Sequence, residues 1–593
     1  MELAELLILL AGSLAVTAFS RWRGLPAPLL VVAVAIGVSF VPGLPPIEID
    51  SEVILTVILP PLLYSASLDV SFQDFRQSVV QIRRLGIFLV IFTALVVGVV
   101  AYFLIPDMTL PAAILVGAVV APPDAVSAAA IGRKLGLPRK VMTVISGESL
   151  INDAASLTLV KVFLAIVGGA ALTIWDDLGI FGLAIGVGVA VGLVLGIIAN
   201  YVRMRVKDPV VEIVIGLLLP FVAYIVAEEL SGSGVLAVVA AGLYVGFNSP
   251  KASYSSRLQE RPLWAAIDVA LEGFVFALIG LQMKTVVTDV ADSSRGLAQS
   301  VGVAFVVLAV VIVSRPVFIF VTYYWSRLTR RFLYKRLRRF RKTPGLRFLR
   351  GRPEPRMSWQ ELFVISWTGM RGVVTLAAAV SIPLITTSGK EVPARDTMFL
   401  IAFVVTVGTL MLQGLTLPWV IRRLGVQDPG QAHRDALAEL ALISSSTDEA
   451  LDYIEKRRDA WAADWGAEAV DRGITILRER LIRQDAVYRA TIEEETDAGP
   501  ADVDQRSVAS GATDTGTGIG IGTSDDPGRG VPARLPARGV AAIRRELLQR
   551  RRDVVVRERD SGNLDEEVMR HVMLGLDAEE LAMDNSALSR TRS

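Results

Sequence analysis

The chain has 593 residues, 52% of them hydrophobic, and a net charge of +1. The apolar residues gather in blocks of about 20, the length that crosses a hydrocarbon core of roughly 30 Å, which excludes an ordinary soluble protein. The sequence holds no cysteine, so disulfides and thiolate metal sites are excluded, and the balanced charge gives no reason to expect a nucleic-acid partner.

In chain order the blocks predict thirteen membrane spans, at residues 2–19, 26–43, 51–68, 85–105, 111–131, 140–169, 179–202, 209–229, 232–248, 262–283, 298–325, 357–383 and 396–421. Glu2 and Glu5 stand where a cleaved leader carries positive charge, so the first block reads as a membrane helix. Basic residues collect in every second connection. They are RWR after span 1, DFRQSVVQIRR after span 3, RKLGLPRK after span 5, VRMRVK after span 7, and Lys251, Arg257 and Arg261 after span 9. Residues 327–356 hold thirteen basic residues and one acid, Glu354, and Arg422 and Arg423 close the last span. The alternate connections carry IEIDSE, WDD and Glu228 with Glu229. Positive charge marks the cytoplasmic side, which places the N-terminus outside and the C-terminus in the cytoplasm.

A membrane domain over 1–425 therefore precedes a tail. Residues 426–498 mix charge and apolar groups at helical spacing, as a soluble helical region does. Residues 499–539 are rich in Gly, Thr and Pro and read as a flexible linker, and residues 540–593 read as further cytoplasmic helix.

The chemistry is concentrated in three spans. Span 6 carries GESLINDAAS, with Glu148, Ser149, Asn152, Asp153 and Ser156. At roughly 100° per residue from Glu148, Asn152 falls near about 40°, Ser156 near about 80°, Ser149 near about 100° and Asp153 near about 140°. This polar arc must line a cavity or meet polar partners, because a carboxylate facing lipid costs several kcal/mol. Span 5 contains APPDAV, in which Pro122 and Pro123 remove two backbone donors and break the helix just before Asp124. Freed carbonyls are tolerated in a membrane only when buried in protein or lining a wet cavity. Span 12 carries Arg371 between Gly369 and Gly372, a second weak point. An arginine there calls for an anionic partner, with Asp124 or Glu148 the candidates. Two interrupted helices in the two halves of a chain point to an inverted-repeat transporter.

In span 10, Asp268 and Glu272 lie one turn apart, suited either to an access funnel or to helix packing. The only histidines, His433 and His571, follow the last span, so within the membrane carboxylates must carry any protons. A buried Asp153 holds either a proton or a monovalent cation, and Ser149, Asn152 and backbone carbonyls are hard oxygen ligands that suit Na⁺. Competition for one site gives antiport. An intramembrane aspartyl protease built on Asp124 and Asp153 lacks the paired-aspartate signature, and a passive cation channel would need no proton-binding switch.

GESLINDA, APPDAV, WTGMRGVVTLA, LPPLLYSASL and LEGFVFALIGLQ together resemble the electroneutral monovalent cation–proton antiporters of the NhaP/NHE-type branch, over residues 1–425. The segment NLDEEVMRHVMLGLDAEELAM is similar to the tail end of bacterial members. The resemblance implies an all-helical polytopic membrane protein of about thirteen spans with inverted repeats, two crossing discontinuous helices and a homodimeric scaffold. It also implies Na⁺/H⁺ exchange, with K⁺ or Li⁺ as further cations, at the bacterial inner membrane, serving cytoplasmic pH and cation homeostasis without a cofactor. Carried over by residue, Asp153 is the ion-binding acid, with Asn152, Ser149 and Glu148 beside it, Asp124 the acid at the crossing and Arg371 the buried cation. The expected metal ligands are Asp153, Ser149 and Glu148. Asn-Asp members are usually electroneutral, so Asn152 points to one proton per cation. Where many members have Thr, this chain has Pro123, which keeps the backbone carbonyl and loses the hydroxyl. The tail is expected either to regulate exchange, through pH, a nucleotide or a partner, or merely to stabilise the dimer, and a K⁺/H⁺ antiporter regulated by its tail is the alternative reading. Lys161 is a basic residue in bacterial relatives as well.

Overall fold

A computed structural model describes residues 3–24, 26–42, 54–68, 70–106, 108–168, 174–206, 208–292, 296–337, 357–382, 392, 394–428, 430–497, 535–562 and 564–591. Among these residues every regular element is helical. The chain divides into two compact units, Met1–Gln427 and Asp428–Ser593.

The first unit opens with α1 (Leu3–Arg23), α2 (Ala27–Ser39) and α3 (Leu59–Leu68), the last entered through a π-helical turn over Ile54–Ile58. Then α4 (Phe72–Arg83) passes through a π turn over Arg84–Leu89 into α5 (Val90–Leu104). Here the structure corrects the sequence reading, in which DFRQSVVQIRR is a loop. Its polar face disguises an inward face: Ile82 is fully buried against Gly147, where an added Cβ would lie 2.4 Å from the Ile82 Cδ1. The glycine of GESLINDA is thus required by close helix approach.

Span 5 is two helices, α6 (Leu110–Val120) and α7 (Ala125–Lys134), separated by residues 121–124. Thr109 caps α6, its hydroxyl accepting from the Ala112 N–H. After α8 (Arg139–Val167) come α9 (Ile174–Arg205), α10 (Pro209–Glu229), α11 (Gly234–Asn248) and α12 (Tyr254–Leu281). Asp208, Ser233 and Ser253 cap α10, α11 and α12. A short α13 (Met283–Asp292) precedes α14 (Leu297–Leu337), which runs 12 residues past the expected end of span 11. Span 12 is also split, into α15 (Trp359–Trp367) and α16 (Val373–Val380). The reciprocal capping box of Ser358 and Glu361 starts α15. The unit closes with α17 (Arg395–Thr409), a π turn over Leu410–Gly414 and α18 (Leu415–Leu424).

Among the described residues, eight helices are long and apolar enough to span a membrane. The remaining expected spans are shorter or broken, and the two broken ones bear on function. Small residues let helices approach closely: at Gly117 a Cβ would stand 2.1 Å from the Ala94 carbonyl oxygen of α5.

Among its described residues the second unit has four helices, α19 (Gly430–Trp465), α20 (Ala467–Asp497), α21 (Ala537–Ser561) and α22 (Glu566–Thr591). One apolar cluster joins Ala450, Ile454 and Trp461 to Val470 and Ile543; another joins Leu442 and Leu548 to Met569 and Val572. Arg552 is buried and paired with Asp577 at 2.8 Å. The expected linker lies, up to residue 534, outside the described residues, as does residue 338–356 of the basic run.

Candidate ion-binding site

Pro122 and Pro123 remove the helical donors of the Ala118 and Val119 carbonyls, and the carbonyls that follow lie at or in the interruption itself. Four carbonyls of this stretch are each met by a side chain from elsewhere. The Ser156 hydroxyl donates to Ala118 O at 2.8 Å, and the Asn152 amide donates to Pro123 O at 2.9 Å. Arg371 donates through Nε to Val120 O at 3.0 Å and through Nη2 to Ala121 O at 3.3 Å. Its Nη1 also reaches the carbonyl of Gly369, and its backbone N–H donates to Thr409 Oγ1 at 2.9 Å.

The expected carboxylate partner of Arg371 is therefore corrected. It neutralises the partial negative charge at a helix C-terminus, where a cation is favoured. Asp124 answers from the opposite direction, since its backbone N–H donates to Met370 O at 2.5 Å in the second break. Its carboxylate lies against Gly372, where a Cβ would come within 2.8 Å of Asp124 Oδ2, beside the positive first turn of α16. The Ser127 hydroxyl donates to that same oxygen at 2.9 Å. The two broken helices thus meet at their interruptions.

Glu148 belongs to a second buried arrangement. Both its oxygens accept from the Arg315 guanidinium, Oε1 from Nη1 and Oε2 from Nη2 at 2.8 Å, while Arg315 Nε donates to Ile365 O at 3.1 Å. Both side chains are buried. A fork-on-fork pair of this kind satisfies the carboxylate bidentately. Glu148, an expected cation ligand, is engaged by Arg315 and does not line the cavity described below. Sequence reading missed Arg315, although its signal was present as a lone arginine beside Pro316 inside an apolar span.

The polar arc of α8 accordingly splits into two stripes. Glu148, Asn152 and Ser156 follow at i, i+4 and i+8 and face Arg315 and the end of α6, with at most 1% exposure. Ser149 and Asp153, also one turn apart, face a cavity of about 240 Å³. Asp153 keeps 7% exposure, which is its opening onto that space. Asp124, Asp268, Glu272, Thr375 and Arg133 line the cavity with them. Asp268 accepts from the Ser65 hydroxyl of α3 at 2.5 Å, and both acids of span 10 line the cavity. Asn152 and Pro123 do not line it; they hold each other.

A carboxylate-lined cavity at the meeting point of two broken helices suits a small cation. The model of a family described as "Sodium/hydrogen exchanger, transmembrane" matches residues 6–423. The chain belongs to the sodium/hydrogen exchanger family. These exchangers are transporters, not enzymes. A Mycobacterium tuberculosis protein that bears the name uncharacterized Na⁺/H⁺ exchanger is 30% identical over 482 residues, covering 78% of this chain and 85% of that protein. The Na⁺/H⁺ antiporter ApNhaP of Aphanothece halophytica is 29% identical, covering 76% of this exchanger and 80% of its own length. The solved structure of the sodium proton antiporter MjNhaP1 of Methanocaldococcus jannaschii superposes with a TM-score of 0.55, at 16% identity, over 71% of this exchanger and 98% of its own chain. That likeness establishes the NhaP-type fold.

Lys161 lies two turns beyond Asp153 on α8. Its ammonium contacts both oxygens of Glu228, at 2.6 and 2.5 Å, and Glu228 Oε1 also accepts from the Gly234 N–H that opens α11. The lysine ties the site helix to the turn between α10 and α11.

Proposed function

We propose that this exchanger moves Na⁺, and also K⁺ and Li⁺, against H⁺ across the plasma membrane, one for one and without net charge transfer, by alternating access. Asp153 is the switch, binding a proton in one half-cycle and a cation in the other. The observation that carries the reading is the division of charge around it. Glu148 is balanced by Arg315, Asn152 is neutral, and Asp153 faces the cavity. One carboxylate that trades one proton for one cation keeps its own charge balance in every state. Ser149 and Asp124 complete an oxygen-rich surface suited to a hard monovalent ion. Two Bacillus relatives bear the name sodium, potassium, lithium and rubidium/H⁺ antiporter, which favours a broad cation set.

In this reading the protein is a homodimer with its N-terminus outside and its tail in the cytoplasm, and it serves cytoplasmic pH and cation balance. The tail regulates exchange. Deleting residues 430–593 should shift the pH–activity profile, and an unshifted profile would remove that role.

The decisive test is Asp153→Asn in everted vesicles. Cation-dependent proton release should vanish, with the protein still present in the membrane at wild-type level. Persistent exchange would overturn the proposal. A wild-type rate that follows an imposed membrane potential would overturn the electroneutral part alone.

A further inference from the structure

Hydroxyls inside helices ordinarily donate to the carbonyl three or four residues back. Thr158 does so to Ala154 O at 2.6 Å, Thr322 to Phe318 O at 2.7 Å and Ser366 to Leu362 O at 2.7 Å. Thr375 does not. It is completely buried, and its Oγ1 has no hydrogen-bond partner among the described residues.

The reason lies in the break. Thr375 is the third residue of α16, so the residues three and four before it are Gly372 and Arg371, both in the interruption. Gly372 is the extended N-cap of α16, at φ −133° and ψ −151°, which turns the Arg371 carbonyl off the helical path, and the Thr375 hydroxyl donates to neither carbonyl. A buried polar group without a partner is costly, and such a group in a native structure calls for an explanation. Its surroundings supply one. Thr375 lines the cavity together with Asp124, Ser149 and Asp153, and the Asp124 carboxylate lies beside Gly372, just ahead of the same turn.

We propose that Thr375 supplies a neutral oxygen ligand to the transported cation and helps set which cation is preferred. This rests on the antiport reading given above. The hydroxyl oxygen has two acceptor lone pairs and suits a hard monovalent ion. It comes from the second broken helix and Ser149 from α8, so two different elements each bring a hydroxyl to the cavity that the carboxylates line. Losing one neutral oxygen penalises Li⁺ and Na⁺, whose water shells are held tightly, more than K⁺.

The test is exchange by Thr375→Val and Thr375→Ser in everted vesicles with Li⁺, Na⁺ and K⁺, together with thermal melts of the purified full chain. Valine keeps the shape and removes the oxygen. The apparent KM for Na⁺ and Li⁺ should rise roughly three- to tenfold, the worth of one hydrogen-bond-strength ligand. K⁺ should change less, and Vmax at saturating cation should stay within about twofold of wild type, because the ligand acts on binding. The melt should not fall, since no hydrogen bond is lost, and serine should restore the cation KM. A Val variant with wild-type KM for all three cations would overturn the inference. So would a raised KM that serine leaves unrestored, which would mark a packing effect. If the wild-type chain itself moves no protons in response to any of the three cations, the antiport reading fails, and this inference with it.

Discussion

The two broken helices are interrupted by opposite means. In span 5 two prolines delete donors and leave carbonyls exposed, so the break is an array of acceptors met from outside by Ser156, Asn152 and Arg371. In span 12 two glycines loosen the chain without deleting any N–H, and the break presents an arginine, one backbone carbonyl to Asp124, and space. Each break therefore supplies what the other lacks. The proline break contributes an N–H and a carboxylate; the glycine break contributes a guanidinium and a niche in which the carboxylate fits. A crossing of helix ends in a membrane carries uncompensated partial charges at both ends. Here the compensation is reciprocal, so neither half-helix pair is stable in this geometry alone.

If that is correct, the side chain matters at one break and the backbone at the other. Arg371→Met should be the most damaging change, leaving buried carbonyls of Val120, Ala121 and Gly369 without their donor. The expected loss is about 3–5 kcal/mol, since hydrogen bonds to a charged group are worth roughly 1.5–3 kcal/mol each and are not additive. Asp124→Asn keeps the backbone N–H to Met370, so it should cost less than about 1 kcal/mol while impairing exchange. Thermal melts of the two purified variants decide the matter. Equal losses would mean that the two breaks are held in the same way.

Gly372→Ala addresses the niche. The new methyl would stand 2.7 Å from Asp124 Cβ and 2.8 Å from its Cγ, against a side chain that the backbone bond to Met370 holds in place. Overpacking of this kind costs about 1–3 kcal/mol and must displace the carboxylate, so exchange should drop at least about tenfold. Gly369→Ala meets the Arg315 Cδ at 2.7 Å and the Arg371 Nη1 at 3.1 Å, side-chain atoms carried on more torsions than those of Asp124, although both guanidiniums are hydrogen-bonded. It should be the milder of the two. The reverse order, read from vesicle exchange rates, would show that the niche at Gly372 does not position Asp124.

Much of this was legible in the sequence, because the bilayer imposes one-dimensional rules. The apolar blocks, the proline break before Asp124, the glycine-flanked Arg371 and the polar face of α8 that carries Asp153 all follow from local residue chemistry. What was not legible depends on pairing across distance. Glu148 meets Arg315, 167 residues away, and a sequence names no partner at that range. Arg371 is satisfied by backbone carbonyls, which every residue has and no motif displays. Periodicity gave one polar arc on α8, but only neighbouring helices could divide it into a cavity stripe and a packing stripe. The helical α4 escaped notice because its polar face outweighs its inward one, Ile82 included.

That division of α8 gives the smallest and most specific prediction. Ser156 belongs to the packing stripe and closes the proline break through Ala118 O, so it acts on the acceptor side of the comparison. Ser156→Ala removes one buried hydrogen bond and should cost about 1 kcal/mol of stability. Exchange kinetics should stay at wild type, because the hydroxyl points away from the cavity. Ser149→Ala should do the opposite, raising the cation KM severalfold with little change in the melt, since Ser149 faces the cavity. The two serines sit seven residues apart, two turns along one helix, and have the same chemistry. Only the neighbour each one faces distinguishes them. Paired melts and vesicle kinetics that fail to separate the two variants would show that the stripes are not functionally distinct.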